Sequence, residues 1–206
     1  MTLTQPSISF TYNLGYVWIV NPAAGDLTAA EDGSGPYQLA DYRKGDPLVR
    51  QGDEEMEQFF IVEGMLKRVV SNPEGREMIL RFAAENEMDT SYAAWRLRTP
   101  VPYSIVAVTK VRTVELPLPV WAEFLDKHTA LKERFEYEVM KLMSEVMAHT
   151  ITLHLLDAPG RLSRFQRKHP ELAGRIPKKE LAAYLNLTPE TLSRLKHSRA
   201  RVRPGL

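Results

Sequence analysis

The chain contains no cysteine. Disulfides, thiolate zinc sites and cysteine-ligated iron–sulfur clusters are therefore excluded. No apolar stretch approaches the ~20 residues that a membrane helix needs. No cationic start runs into an apolar segment, so a cytoplasmic protein without a signal peptide is expected. There is no glycine-rich loop ending in Gly-Lys-Ser/Thr to cradle a phosphate, and no Ser, His and Asp stand in a triad order. His128, His149 and His154 lack tight ligand spacing with carboxylates, so neither a metal nor a cofactor is expected. With no catalytic constellation, an enzyme is the least supported class.

What is present is an uneven distribution of charge. The 206 residues suffice for one substantial core and a small second domain, and their net charge is +1. Residues 1–126 carry 11 Lys and Arg against 18 Asp and Glu, whereas 127–206 carry 16 against 8. Residues 157–206 alone carry 12 against 4. A basic C-terminal module beside an acidic N-terminal one suits binding of double-stranded DNA by the former.

Residues 177–197 in that basic module predict a helix-turn-helix. Pro177 suits the first position of a helix, where its missing N–H costs nothing. Leu181 and Leu185 follow at helical spacing, and Ala182 and Ala183 permit a close crossing. Asn186 falls where the chain must turn, and Asn tolerates the left-handed conformation. Thr188 and Pro189 then start a second helix as N-cap and first helical residue. Leu187 and Leu192 flank the cap at the spacing of a hydrophobic staple. Leu192 and Leu195 point inward, while Glu190, Ser193, Arg194 and His197 share the outward face. Glu can accept from cytosine N4 and Arg can bridge guanine O6 and N7. Lys178, Lys179, Thr188, Thr191, Lys196, Arg199, Arg201 and Arg203 complete the expected DNA contacts. The plainer alternative is a helical hairpin with a solvated charged face.

Upstream, residues 37–117 read as β structure. Turn signals at Lys44-Gly45-Asp46, Gln51-Gly52-Asp53, Glu63-Gly64 and Asn72–Gly75 separate short apolar runs at 59–62, 66–70, 78–82 and 103–108. That spacing predicts a small barrel or sandwich. A short helix is expected over 118–127 and a long one over about 129–157. In the long helix Phe135, Val139, Leu142, Val146, His149, Leu153 and Leu156 step by 4 and 3, the seam of a dimeric coiled coil. Met140, Met143 and Met147 broaden it, and packing of this helix along its own barrel is the alternative. His149 in the seam is either a pH-sensitive group or a satisfied interface residue. Asp157-Ala158-Pro159-Gly160 is expected to end the helix and act as a hinge before a short helix over 161–169. The expected division is 1–117, 118–157 and 158–206. In 1–36, residues 10–20 suit a strand and Asp32–Gly35 a loop. Glu54, Glu55 and Glu57 read as a solvated loop. No strand pair that could form a wing is expected after Arg199.

This order of barrel, long helix and helix-turn-helix resembles the Crp/Fnr superfamily of bacterial transcription regulators. The resemblance spans about 37–199. It is carried by Lys44-Gly45-Asp46-Pro47-Leu48-Val49-Arg50-Gln51-Gly52-Asp53, by Phe60-Ile61-Val62-Glu63-Gly64, by Glu74-Gly75-Arg76-Glu77, and by Ile176 through Arg194. It implies an α+β chain, with a cyclic-nucleotide-binding-type antiparallel β-roll of jelly-roll form, a dimerisation helix, and an all-α DNA-binding domain of the wingless branch. It further implies a homodimer on a palindromic operator. Glu190, Ser193 and Arg194 would read TTGA-like half-sites, with RNA polymerase a further partner. Nucleotide-binding members hold the ribose with a Gly-Glu pair and the phosphate with Arg-Ser or Arg-Thr. Here Glu87-Met88-Asp89-Thr90-Ser91-Tyr92 stands at the first position, and Pro102 or Tyr103 precedes Ser104 at the second. A cyclic phosphate needs a cation and free N–H groups, so cyclic AMP is not expected to bind. Arg96 and Arg98 are expected in an exposed loop. An effector pocket, if the roll uses one, would comprise Arg76, Glu87, Asp89, Thr90, Ser91, Tyr103 and Ser104. The reading is a homodimeric, sequence-specific transcription regulator. The rival is a ligand-binding signalling module whose helix-turn-helix contacts protein.

Overall fold

The structure is a computed structural model that describes residues 10–11, 17–18, 37–75 and 77–201, with 10–11, 17–18 and 198–201 by backbone alone. Phe10–Thr11 (β1) pairs antiparallel with Val17–Trp18 (β2), two short strands where one is expected over 10–20. The loop expected at Asp32–Gly35 lies outside the described residues. Next come Gln38–Tyr42 (β3), Pro47–Val49 (β4), Glu57–Glu63 (β5), Met65–Ser71 (β6), Glu77–Ala84 (β7), Met88–Thr90 (β8), Ser104–Ala107 (β9) and Val111–Pro117 (β10). These build two antiparallel four-stranded sheets, ordered β3-β10-β5-β8 and β4-β9-β6-β7. The first runs of apolar residues fold as hairpins because tight turns part them. At the β5–β6 turn Gly64 has φ +94°, and a Cβ there would collide with the carbonyl of Lys110, so only glycine fits.

The helices are Tyr92–Leu97 (α1), Leu118–Lys127 (α2), Thr129–Leu155 (α3), Ala158–Lys168 (α4), Lys178–Tyr184 (α5) and Pro189–Arg201 (α6). Two apolar cores result. The first joins the roll interior, including Phe59, Ile61, Leu66, Ile105 and Leu116, to Trp121, Leu125 and Phe135 of α2 and α3. Trp121 stands edge-on to Phe60 and Phe135, with ring centroids 5.4 and 5.5 Å apart. The second joins Met65, Val69, Ile79, Phe82 and Val108 of the roll to Leu162, Phe165, Leu172, Ile176, Leu181 and Leu192 of the C-terminal module. Strand alternation explains how one strand serves both: in β6, Leu66 faces the first core while Met65 and Val69 face the second. Lys67 to Glu180 at 2.8 Å and Arg175 to Glu85 at 2.7 Å tie the rim of the second core.

Three sequence expectations change here. The helix expected over 161–169 begins earlier, at Ala158. Asp157 is its N-cap and accepts from Gly160 N at 2.9 Å, with Pro159 in the first turn. The tetrapeptide expected as a hinge therefore starts a helix. Pro177 is the N-cap of α5, with an extended ψ of 139°, and the helix starts at Lys178. Glu57 lies in β5, half-buried, where burial and then the nearby Glu115 push its carboxyl up to about 7. It is not part of a solvated loop.

Candidate nucleic-acid interface

The helix-turn-helix is held by local chemistry. Asn186, at φ 52°, is the left-handed residue that ends α5. Leu187 N donates to Ala182 O at 2.9 Å and Asn186 N to Ala183 O at 3.0 Å, the paired bonds of a Schellman motif. Two residues later the Thr188 hydroxyl accepts from Thr191 N at 3.2 Å and caps α6. Leu192 is fully buried, and Leu187 and Leu195 pack against the same core. The pattern is so local that its turn, cap and inward face all agree with expectation.

The outward face of α6 is open. Glu190, Arg194, Lys196 and His197 are exposed and Ser193 is half-buried. Arg194 Nη2 donates to the Thr191 hydroxyl at 3.2 Å, which aims the guanidinium along the helix. Among the described residues no carboxylate pairs with Arg194. His197 Nδ1 lies 2.7 Å from Ser193 O. The Glu190 carboxyl is held below its ordinary range by its backbone N–H, by the Thr188 hydroxyl and by Lys178. Lys178 and Lys179 project from the exposed start of α5. The side chains of Arg199 and Arg201, and all of Arg203, lie outside the described residues.

The roll interior contains two residues that sequence reasoning missed. Arg68 in β6 and Arg81 in β7 are directly opposite in register. Like charges so placed repel unless an anion lies between them. Asp89 is that anion: it is fully buried, ion-paired to Arg68, and 3.3 Å from Arg81. Arg68 also donates to Thr90 O at 2.9 Å and lies 4.1 Å over the Tyr103 ring. Tyr103 in turn donates to the same carbonyl at 2.9 Å. Asp89, Thr90, Ser91 and Tyr103 of the expected pocket thus gather as buried residues around Arg68. Glu87 stands at the rim of this cluster: it is exposed, accepts from Ala84 N at 2.8 Å and lies 3.7 Å from Arg81. Ser104 instead accepts from Gln51 N at 2.9 Å. Arg76 lies outside the described residues. Arg96 and Arg98 are exposed, on α1 and at its left-handed C-cap rather than in a loop. The legible signal for Arg68 was its place between apolar neighbours on a strand.

The expected dimer seam is split in two. Phe135, Leu142 and His149 are buried inside the subunit. Phe135 packs on Trp121 and Tyr92, and His149 stacks on Tyr184 of α5 with centroids 3.8 Å apart. Burial pushes the His149 imidazole down to about 4. Val139, Val146 and Leu153 are half-buried, and Leu156 lies at the exposed end. Among the large apolar residues left exposed are Met140, Met143, Met147, Ile151 and Leu155. They step by 3, 4, 4 and 4 along the opposite face. The helix is apolar on more than one side, and its own roll takes the first.

Comparison with known proteins agrees with this geometry. Residues 39–128 match the cyclic nucleotide-binding domain family. By sequence, no curated protein matches the chain significantly. Among solved structures, the chain is similar to FixK2 from Bradyrhizobium japonicum at 16% identity and a TM-score of 0.69, over 79% of this chain and 83% of that one. It is similar to CLP, a c-di-GMP-responsive global regulator from Xanthomonas campestris, at 15% identity and a TM-score of 0.65, over 82% and 91%. A third is a transcriptional regulator of the CRP family from Thermus thermophilus, at 18% identity and a TM-score of 0.62, over 79% and 84%. Identities this low speak for the fold. The chain thus matches that family's model over residues 39–128 and has the fold of the Crp/Fnr-type transcription regulators to which it is similar.

Proposed function

We propose that the protein is a cytoplasmic, sequence-specific DNA-binding transcription regulator that works as a homodimer. The observation that carries the reading is the face of α6. A base-reading pair, Glu190 and Arg194, stands exposed on a helix whose start is capped and whose inner side is buried. An arginine oriented by Thr191, with no carboxylate paired to it among the described residues, suits a guanine edge. Lys178 and Lys179, with Lys196, Arg199 and Arg201, suit the flanking phosphates. A monomer would read too few base pairs for specificity, and α3 supplies the means to double the site. Its stripe of Met140, Met143, Met147, Ile151 and Leu155 suits the same stripe of a second copy, because self-complementary surfaces close a two-fold dimer. Two recognition helices would then meet half-sites about one DNA turn apart.

The roll in this reading works without a cyclic nucleotide. A cyclic phosphate needs a cation that is not already neutralised. Arg68 and Arg81 are both engaged by Asp89, and Tyr103 covers Arg68. Selection of bound duplexes from genomic fragments, followed by sedimentation, tests the reading. A palindromic consensus bound by a dimer is expected, and sequence-independent binding or none overturns it. Titration calorimetry with cyclic AMP and cyclic GMP is expected to give no heat; a micromolar Kd for either would refute the account of the roll.

A further inference from the structure

Only Leu156 and Asp157, both extended, separate α3 from α4. So short a junction between two helices would ordinarily swing. Here it is packed. A Cβ on Gly160 would meet Asp157 Oδ1 at 2.8 Å, so a side chain there would push aside the carboxylate that caps α4. Arg161 Nη2 donates to Leu153 O, in the last turn of α3, at 2.8 Å. Its Nε donates to Leu156 O, in the junction, at 2.8 Å. Its Nη1 donates to Leu185 O, at the C-cap of α5, at 3.2 Å, with Asn186 O at 3.5 Å.

Those carbonyls share one property. They belong to helix ends and to the turn beyond, where no intrahelical N–H is left to satisfy them. The negative ends of the α3 and α5 dipoles therefore converge on one cation. A guanidinium is suited to this place, because its five donors lie in a fixed planar fork. Lysine has the charge but not the fork.

We propose that Leu156–Arg161 is a locked elbow and that Arg161 is a positioning residue. It sets the angle between α3 and the α5–α6 pair. Resting on the proposed function, that angle also sets the separation of the two recognition helices in the dimer, and so the half-site spacing the protein accepts. Residues on α6 choose bases; Arg161 chooses the distance between the two sets of bases.

The test separates the elbow from the DNA reading. The cysteine-free chain can be labelled with nitroxides at Glu133→Cys on α3 and Ala183→Cys on α5, diluted with unlabelled protein. Electron–electron resonance on the full chain is expected to give one narrow distance, and Arg161→Gln a distribution at least twice as wide. Arg161→Lys, which keeps the charge, is expected to fall between the two and serves if the Gln variant does not fold. An unchanged width in both variants overturns the proposal. Binding to the selected operator with one base pair inserted at its centre is the second measurement. Native protein should lose about tenfold in affinity and Arg161→Gln less than about threefold, on the scale of a single mismatch. Equal losses in native and variant overturn the spacing role. Native protein that binds no duplex refutes the proposed function instead, and the distance widths still decide the elbow.

Discussion

Arginine and carboxylate side chains do opposite things in the two halves of this molecule. In the roll, Arg68 and Arg81 close on Asp89, and all three are buried. On α6, Glu190 and Arg194 share a face without pairing and are both exposed. The contrast follows from solvent. A buried charge must be matched at once, because nothing else stabilises it. A surface charge is hydrated, so the fold can leave it for a partner. Stability is therefore expected to depend on the first set and recognition on the second.

Removing the buried anion should have the largest effect. Asp89→Ala leaves Arg68 without its anion and Arg81 with only the rim carboxylate of Glu87 at 3.7 Å, and a loss of about 3–5 kcal/mol is expected in chemical denaturation. A loss below about 1 kcal/mol would mean that the interior network is hydrated and the contrast false.

Acid should come next. His149 is neutral between α3 and α5, with its imidazole lowered to about 4 from an ordinary 6.5. A group lowered on folding stabilises above its unfolded value, and that contribution fades as pH falls from about 6.5 through about 4. The loss should be on the order of 2–3 kcal/mol in that window. Carboxylates titrate there too, so the difference between native protein and His149→Phe isolates the histidine. Parallel stability curves for the two would remove it as the cause.

Changes on the recognition face should read out in DNA and not in stability. Arg194→Ala is expected to weaken the cognate duplex by about 1–3 kcal/mol and to relax preference at one position per half-site. Fluorescence anisotropy on matched and mismatched duplexes would show this, with the melting temperature unchanged. Equal weakening on both duplexes would make Arg194 a phosphate contact. The smallest effect joins the two regimes. Thr188→Ala should cost about 1 kcal/mol in helix stability through loss of the α6 cap. A stability cost with unchanged affinity would show that α6 is kept in place by its buried side alone.

Much of this was legible in the sequence because the signals are local. Asn186, Thr188, Pro189 and the leucine spacing specify turn, cap and inner face within a dozen residues. The same holds for the roll, where glycine turns punctuate short apolar runs. The α3 seam was legible only as apolarity, since a heptad pattern does not say which neighbour it meets. Phe135, Leu142 and His149 proved to be buried within the subunit, Phe135 against Trp121 and His149 against Tyr184, residues distant in sequence. Asp157–Gly160 misled for a related reason: Pro and Gly suggest a break, yet both fit the first turn of α4 once Asp157 caps it.

What the sequence by itself determined is thus the order of strands and helices, the helix-turn-helix with its outward face, and the basic charge that accompanies it. Each rests on neighbours within a turn or two of chain. Tertiary structure alone decided which side of α3 remains exposed, that Asp89 bridges Arg68 and Arg81, and that Arg161 clasps two helix ends. Those outcomes depend on strand register and on helices meeting across tens of residues, and no local spacing encodes such a meeting.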